Sequence, residues 1–338
     1  MGKIKKNNKN NKTSVLTLMA VGFLFLVYAL AFTADFIAPY PPNELHPEHG
    51  YISPSKIYLD SKGLYSYQRE QIIDKEKFTK VFVEKKDKKY RIKFFKNNKF
   101  ISIEKPAKLF LLGSDSLGRD LFSRLLYGAR PSLTIGFISL LIAFPMGLLY
   151  GGISGYFGGL VDDLMMRIAE AIMSLPSFYL LIILSALLPA NLSNFQRFAL
   201  ITFILSFISW AGLSRIIRGQ VLAIKEKEFI ESAKSIGLGN LRTIIKHLLP
   251  HTFSFVIIAA TLSVPSFIIG ETALSFLGLG INQPDPSWGN ILAEGKELAN
   301  ILTRPWLLWS PALLIFFTVL SFNLIGDSLR DYFDPKNS

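Results

Sequence analysis

The run Thr252-Phe-Ser-Phe-Val-Ile-Ile-Ala-Ala-Thr-Leu-Ser-Val-Pro-Ser-Phe-Ile-Ile-Gly270 carries no charged side chain across nineteen residues. Crossing hydrocarbon as a helix takes roughly 20 apolar residues, because only a helix satisfies its own backbone there. Five further segments are equally free of charge: Thr13–Ala34, Pro131–Val161, Ala171–Gln196, Phe198–Ser214 and Pro305–Gly326. Together they predict an all-α integral membrane chain with six transmembrane helices. Phe198–Ser214, at 17 residues, is the shortest. Pro131–Val161 exceeds one span, and Gly151, Gly152, Gly155, Gly158 and Gly159 predict that its helix ends near Tyr150–Tyr156. Pro145, Pro176 and Pro265 fall inside spans, where neighbouring helices can cover the freed carbonyls.

Composition agrees with this reading. Of 338 residues, 50% are hydrophobic and 18% charged, against about 25% charged in an ordinary soluble domain. The chain has no cysteine, which excludes disulfides, thiolate metal sites and cysteine nucleophiles. The net charge of +12 is concentrated in two places. Five lysines lie in the first twelve residues, and 56–108 holds sixteen Lys/Arg against seven Asp/Glu. Aromatics sit mainly in the apolar runs rather than among these charges, so a solvated or headgroup-facing surface is expected, and no nucleic acid.

The first span follows the basic stretch and is too long for a signal-peptide core, which makes it an uncleaved signal anchor. The five lysines place residue 1 in the cytoplasm. Counting spans puts Arg215–His251 there too, and its seven Lys/Arg against three Asp/Glu agree. Asp35–Arg130 is then external. Within it, Thr79–Val83, Tyr90–Phe95 and Phe100–Ile103 read as a small meander, with the charged stretch Glu84–Lys89 as a turn and Asn97-Asn98 before the third strand. The Lys/Asn-rich N-terminus reads as disordered.

The cytoplasmic segment holds Glu228-Phe-Ile-Glu231-Ser-Ala233-Lys-Ser-Ile-Gly237-Leu-Gly239-Asn240-Leu-Arg-Thr-Ile-Ile-Lys-His247-Leu-Leu249-Pro250. Phe229, Ala233 and Ile236 recur at helical spacing, Gly237 and Gly239 break the helix, and Asn240 is a candidate N-cap for a second one. Leu241, Ile244, Ile245 and Leu248 then share a face, and Pro250 stops the helix. A short apolar-faced helix–turn–helix outside the membrane suits a groove on a partner protein; an interfacial helix pair on lipid is the competing interpretation.

This stretch resembles the EAA loop of ABC-transporter permeases, with Glu231, Ala233, Gly237, Leu249 and Pro250 in place, Ser232 at the second position and His247 where the general pattern has isoleucine. That histidine resembles the dipeptide/oligopeptide/nickel branch. Leu112-Gly-Ser-Asp115-Ser-Leu-Gly118-Arg119-Asp120, continuing through Arg124, Tyr127-Gly-Ala-Arg130 and Ser132-Leu133, resembles the same branch. So do Glu271-Thr-Ala-Leu-Ser-Phe-Leu-Gly278-Leu-Gly280 with Pro286-Ser-Trp288-Gly-Asn290, and Asn323-Leu-Ile-Gly326-Asp327-Ser-Leu-Arg330-Asp331 to Asp334-Pro335.

The resemblance implies the type I ABC-importer permease fold with a small β-rich extracytoplasmic insertion, and a division into a tail (1–12), first transmembrane helix (13–36), external loop (37–110) and permease domain (111–336) with the coupling loop 222–250. It implies ATPase coupling through Glu231, Ser232, Ala233, Gly237, Gly239, Leu249 and Pro250. Glu271, Ser275, Trp288 and Asn290 become candidates for the pathway or gate, since a charge at membrane depth is costly unless it lines a cavity. An interfacial aromatic belt remains the simpler interpretation of Trp288 and Trp306. Implied partners are a homologous permease subunit, two cytoplasmic ABC ATPase subunits, an extracytoplasmic solute-binding protein and membrane lipid. The cargo is a di- or oligopeptide, with nickel or another small solute as alternative. No phosphate-binding loop or nucleophile elbow occurs, so the chain is not expected to be an enzyme or to hold a cofactor. Asp163 and Arg167, four apart, read as an intrahelical ion pair. His247 and His251 are poor metal ligands with Pro250 between them. A secondary transporter or a non-transporting scaffold would leave the EAA-like segment unexplained, and charged residues near the midplane are not seen.

Overall fold

The computed structural model describes residues 2–74, 79–96, 98–235 and 237–333, with side chains described over the same ranges apart from 2–14, 73–74, 79–80, 233 and 234. Ile236 and Asp334-Pro335 therefore lie outside the described residues. In chain order the elements are α1 (Gly2–Phe32), α2 (Ala34–Ile37), a 3-10 turn (Pro47–His49), β1 (Tyr58–Asp60), β2 (Gly63–Asp74), β3 (Thr79–Lys96) and β4 (Lys99–Ile103). They continue with α3 (Leu121–Phe157), α4 (Gly159–Met173), α5 (Ser177–Ala186), α6 (Asn194–Ile224), α7 (Glu228–Ser235), α8 (Asn240–Thr243), α9 (Phe253–Phe276), α10 (Trp288–Glu294), α11 (Leu298–Thr303) and α12 (Pro305–Phe333). Five helices are long and apolar enough to cross a membrane, or six if the bent pair α4–α5 counts as one span.

That pair corrects the third expected span. Ala171–Gln196 is not one helix: the chain bends by 77° between α4 and α5. Pro176 cannot continue the preceding helix, because it lacks an N–H and disfavours helical backbone at Leu175. Alone, α5 is only ten residues, about 15 Å, half of a hydrocarbon core. The fourth span is longer than expected, at 31 residues, and begins with a capping box in which Ser193 accepts from the Gln196 N–H. The N-terminal stretch expected to be disordered is helical from Gly2, since extending a helix already nucleated by an apolar run is cheap.

The chain divides into two compact units, Met1–Phe23 with Thr134–Glu271 and Thr318–Ser338, and Leu24–Leu133 with Thr272–Phe317. In the first unit, α3 runs through Gly151, Gly152 and Gly155 and stops at Phe157, one residue past the expected end, where Gly158, another of the expected terminating glycines, takes a positive φ of 66°. Gly147, Gly151 and Gly155 recur every four residues and so line one face of α3. A Cβ on Gly147 would lie 2.8 Å from the Leu213 side chain, one on Gly151 would overlap the Ser214 carbonyl, and one on Gly155 would lie 2.9 Å from the Arg218 carbonyl. The glycines are there for close approach of α6, as at packed helix pairs in lipid.

In the second unit, β1 to β4 form a four-stranded antiparallel meander in sequence order. The charged stretch Glu84–Lys89 does not end the strand; β3 continues through it with a bulge. It contains no Gly, Pro or Asn to fix a turn, and cross-strand pairing stabilises it, with Lys85 Nζ 3.1 Å from Glu70 and Lys89 Nζ 3.2 Å from Asp60. Register jumps there: Lys89 faces Tyr67 while Lys85 faces Gln68, so the residues between them bulge. The following break falls as expected at the asparagines, with Asn98 at φ 58°.

Gly151→Leu should destabilise the detergent-solubilised chain by about 1–3 kcal/mol in a denaturant titration, since α6 has no room to yield. Gly219→Ala, with nothing within 4 Å of its added Cβ, is the control and should be neutral or stabilising. Equal behaviour of the two would refute the close-approach role.

Candidate functional site

Residues 228–252 form the expected helix–turn–helix, with its details revised. The first helix, α7, exposes Glu231 and Ser232 and buries Ile230 completely. Ser232 Oγ donates to the Glu228 carbonyl at 2.9 Å. The backbone of Ala233 is helical. At the corner, Gly237 has φ 79° and an exposed surface with nothing around a built Cβ, whereas Gly239 has an ordinary φ of −65°. Gly237 thus supplies the left-handed residue, and Gly239, rather than Asn240, is the N-cap of α8. Asn240 is the first helical residue, and its Oδ1 accepts from Tyr156 Oη at 3.0 Å.

Pro250 does not stop the second helix. A proline removes a donor and its ring collides with the carbonyl four residues back. The chain accommodates this with a π turn over Ile244–Leu248, in which the Leu249 N–H donates to the Ile244 carbonyl, and a 3-10 turn over Leu249–Thr252 that leads into α9. The apolar face expected there is also divided. Ile244 and Leu248 are fully buried, while Leu241 and Ile245 are 61% and 50% exposed. Leu249 is half-buried and Pro250 exposed. His251 packs its ring 4.7 Å from Phe229. Among the described residues no cluster of His, Asp and Glu could hold a metal ion.

Beneath this segment lies an arrangement that reading the sequence missed. Arg218 of α6 donates from Nε and Nη2 to Asp162 Oδ1 and Oδ2 of α4 at 2.6 and 2.5 Å. Ser154 of α3 also donates to Asp162 Oδ1. The expected intrahelical pair of Asp163 with Arg167 is replaced: Arg167 lies 3.6 Å from Glu170, one turn away at i,i+3. Asp162, its neighbour, is the one turned inward, with its side chain 8% exposed. The legible signal was the four-residue glycine period of α3, which brings the α6 backbone close.

The candidates Glu271, Ser275, Trp288 and Asn290 are all buried. Ser275 Oγ accepts from the Ile281 N–H at 3.0 Å. Trp288 is completely buried, so it is not part of an interfacial belt; its indole N–H donates to the Leu125 carbonyl and its backbone N–H to Ser132 Oγ, both at 3.1 Å. Asn290 Nδ2 donates to the carbonyls of Ile281 and Asp285, and its Oδ1 accepts from the Ser287 N–H. In the second unit these three side chains hold the 280–290 turn.

The same unit contains a buried ionic network on the Leu112–Ser132 stretch. Asp115 Oδ2 accepts from Arg119 Nε at 2.6 Å, and Arg119 Nη2 reaches Glu294 Oε1 at 2.9 Å. Gln283 Oε1 accepts from both Arg119 and Arg124, at 2.7 and 2.9 Å. Burial raises the Glu294 carboxyl, Asp115 adds to the rise, and the two guanidinium groups oppose it. Asp120 caps α3 by accepting from the Ser123 N–H and Oγ, and burial nevertheless pushes its carboxyl up to about 7.

The molecule is thus a multi-helix membrane protein with an exposed helix–turn–helix and a sheet-bearing loop. Residues 144–338 match the family described as binding-protein-dependent transport system inner membrane component. The chain is 44% identical over 232 residues to the dipeptide transport system permease protein DppC of Bacillus subtilis (strain 168), covering 68% of this chain and 70% of that protein. It is 43% identical over 225 residues to the oligopeptide transport system permease protein OppC of Haemophilus influenzae, covering 67% and 70%. With the glutathione transport system permease protein GsiD of Escherichia coli O6:H1 it shares 39% identity over 231 residues, covering 68% and 74%. Among solved structures it resembles the inward-facing MetNI methionine ABC transporter at 18% identity and a TM-score of 0.49, covering 63% of this chain and 98% of that one. The chain belongs to the binding-protein-dependent transport system inner membrane component family. It is a permease subunit, with the fold class expected from its sequence: mostly helical, five to six apolar helices, and a small inserted sheet.

Two measurements test the site. Asp162→Asn leaves Arg218 with half a partner and should cost about 1–3 kcal/mol in denaturant titration, less than the roughly 3–5 kcal/mol of a fully buried pair because Arg218 is 33% exposed. Stability unchanged by Asp162→Asn would refute the clamp. A carboxyl with a folded pKa above its unfolded value of about 3.9 favours the folded state only while protonated, so Asp120 makes stability fall as pH rises from about 4 to about 7. Asp120→Asn keeps the cap oxygen and should flatten that fall by on the order of 4 kcal/mol; an unaltered profile would overturn the assignment.

Proposed function

We propose that this chain forms, with a homologous permease subunit, the pathway of an ATP-driven importer of di- or oligopeptides. Two ABC ATPase subunits dock on Glu228–Pro250 from the cytoplasm, and an extracytoplasmic solute-binding protein delivers the cargo. The observation that carries this is the composition of what the segment exposes: Glu231, Phe229, Leu241 and Ile245 are exposed, while Ile230, Ile244 and Leu248 are buried. An apolar stripe edged by charge suits a groove on a partner. The peptide assignment is supported by the names of the relatives, which are dipeptide, oligopeptide and glutathione transport systems. The lysine-rich N-terminus and the excess of Lys/Arg over 215–251 support cytoplasmic termini and a cytoplasmic coupling segment.

In this mechanism closure of the ATPases pushes the helix–turn–helix as a rigid body. Its buried residues pass the displacement into the first unit, and the bundle exchanges inward- and outward-open states, each ligand favouring the state it contacts better. Glu271, Ser275, Trp288 and Asn290 stay candidates for lining or gating residues, acting in states where the 280–290 turn opens.

Gly237→Val forces a β-branched residue to φ 79°, at a strain of about 1–3 kcal/mol. Peptide uptake by the assembled transporter should fall at least about tenfold while membrane insertion is unchanged. Normal uptake by this variant, or failure of the wild-type chain to co-purify with an ATPase, would overturn the reading.

A further inference from the structure

The β3–β4 hairpin and the cleft beside it carry features that transport does not use. Phe36 of α2 packs against Phe95 and Phe100, with ring centroids 6.1 and 6.2 Å away. Phe95 and Phe100 are 5.3 Å apart, and Phe94 and Phe100 5.8 Å. These aromatics nevertheless stay open, with Phe95 72%, Phe94 45% and Phe100 38% exposed. Phe36 is only four residues past Phe32, where the first span ends, a reach of at most about 14 Å. Phe95 and Phe100 are therefore tied to a residue within about 14 Å of the end of the first span, and the water–hydrocarbon interface is where aromatic rings concentrate.

Charge at the same place is positive. A cleft of about 470 Å³ is lined by Tyr40, Lys99, Ser102, Lys105 and Lys108, and an adjoining hollow by Lys93, Lys96 and Lys105. Glu104 pairs with Lys93 at 2.6 Å, and Glu44 lies 3.8 Å from Lys108. Lys99 Nζ donates to the Asp35 carbonyl at 2.9 Å, which ties the cleft to the end of the span. Asp35 itself is held by Arg130 at 2.7 Å. Among the described residues, Lys96, Lys99 and Lys105 have no carboxylate within ion-pair distance.

We propose that this hairpin is a membrane foot: its phenylalanines enter the interfacial layer and the lysine-lined cleft takes the phosphate of an anionic phospholipid headgroup. Exposed aromatics, a liability in water, and ammonium groups with no carboxylate in direct ion-pair contact match an anionic bilayer surface together. The sixteen cations against seven anions in residues 56–108 then have a local purpose. The foot fixes the inserted sheet against the membrane at the base of the first span.

Because the chain has no cysteine, Phe95→Cys gives a unique labelling site. The full-length labelled chain is reconstituted in phosphatidylcholine vesicles with and without phosphatidylglycerol, and quenching by headgroup-nitroxide lipids of each type is compared with quenching by aqueous iodide. The foot requires lipid quenching, stronger for phosphatidylglycerol. That preference should fall by on the order of fivefold per lysine removed in Lys96→Gln, Lys99→Gln and Lys105→Gln, and should weaken with added salt in the labelled chain that keeps all three. Quenching by iodide alone, or a preference indifferent to the lysines and to salt, overturns it. Loss of the preference on adding millimolar inorganic phosphate would make the cleft a site for a free anion. Shielding of the label only when the binding protein is added would make it a protein contact. Each of those results also replaces the lipid foot.

Discussion

The carboxylate of Asp162 organises the first unit, because a charge almost out of reach of water has to be matched where it lies. It is matched from two sides, by both outer nitrogens of one edge of the Arg218 guanidinium and by the Ser154 hydroxyl. The pair can close only if α6 sits against α3, and the residue that supplies the guanidinium is also the one whose carbonyl touches Gly155. Ion pair and glycine stripe are consequently one constraint seen twice. Six residues beyond Arg218, α6 ends at Ile224, and α7 begins at Glu228, so the position of the exposed helix–turn–helix is inherited from this clamp.

The second unit solves a harder electrostatic problem by another route. Arg119 and Arg124 are 3% and 0% exposed in their side chains, and no single carboxylate serves them both well. Asp115 accepts from Arg119 through its side chain and from the backbone N–H of Leu117 and Arg119, which orders the local turn. Gln283 accepts from both guanidinium groups without adding charge and donates to Glu294. The neutral amide spreads the positive field between two acids and ties the 280–290 turn to the start of α3. Gly118, with φ 76° and no room for a Cβ against the His46 carbonyl, lets the intervening loop close that tightly.

Much of this was legible in the sequence for one reason: hydrocarbon imposes a requirement on long uncharged runs that does not depend on tertiary detail. The failures share the opposite cause. Gly151 and Gly155 read as helix breakers because propensity speaks of an isolated helix, while in the fold they are contact residues. Glu84–Lys89 read as a turn because it is polar, but a two-sided solvated strand is also polar and Asp87 is the stretch's one turn-favouring residue. Asp163 and Arg167 satisfied the i,i+4 rule, yet the identity of the residue facing inward was decided by α6, far away in sequence. Trp288, expected at an interface, is buried because its two N–H groups find partners on α3 that no local pattern announces.

The division of the second helix of the helix–turn–helix follows from the same logic. Leu241 and Ile245 form one i,i+4 pair and Ile244 and Leu248 a neighbouring one, their offset around the axis altered from α-helical spacing by the π turn over Ile244–Leu248. A sequence pattern shows one broad apolar face; only packing decides how much of it is consumed. Here Ile244 and Leu248 are consumed, since Gly152 of α3 leaves space for Ile244 and Leu249 against its bare backbone. Had a larger residue stood at Gly152, the helix would have to roll outward and the second stripe would change orientation with it. The exposed pair Leu241 and Ile245 is therefore aimed by a glycine in another helix, and the exposed face of the helix–turn–helix and the glycine packing of α3 are set by the same contacts.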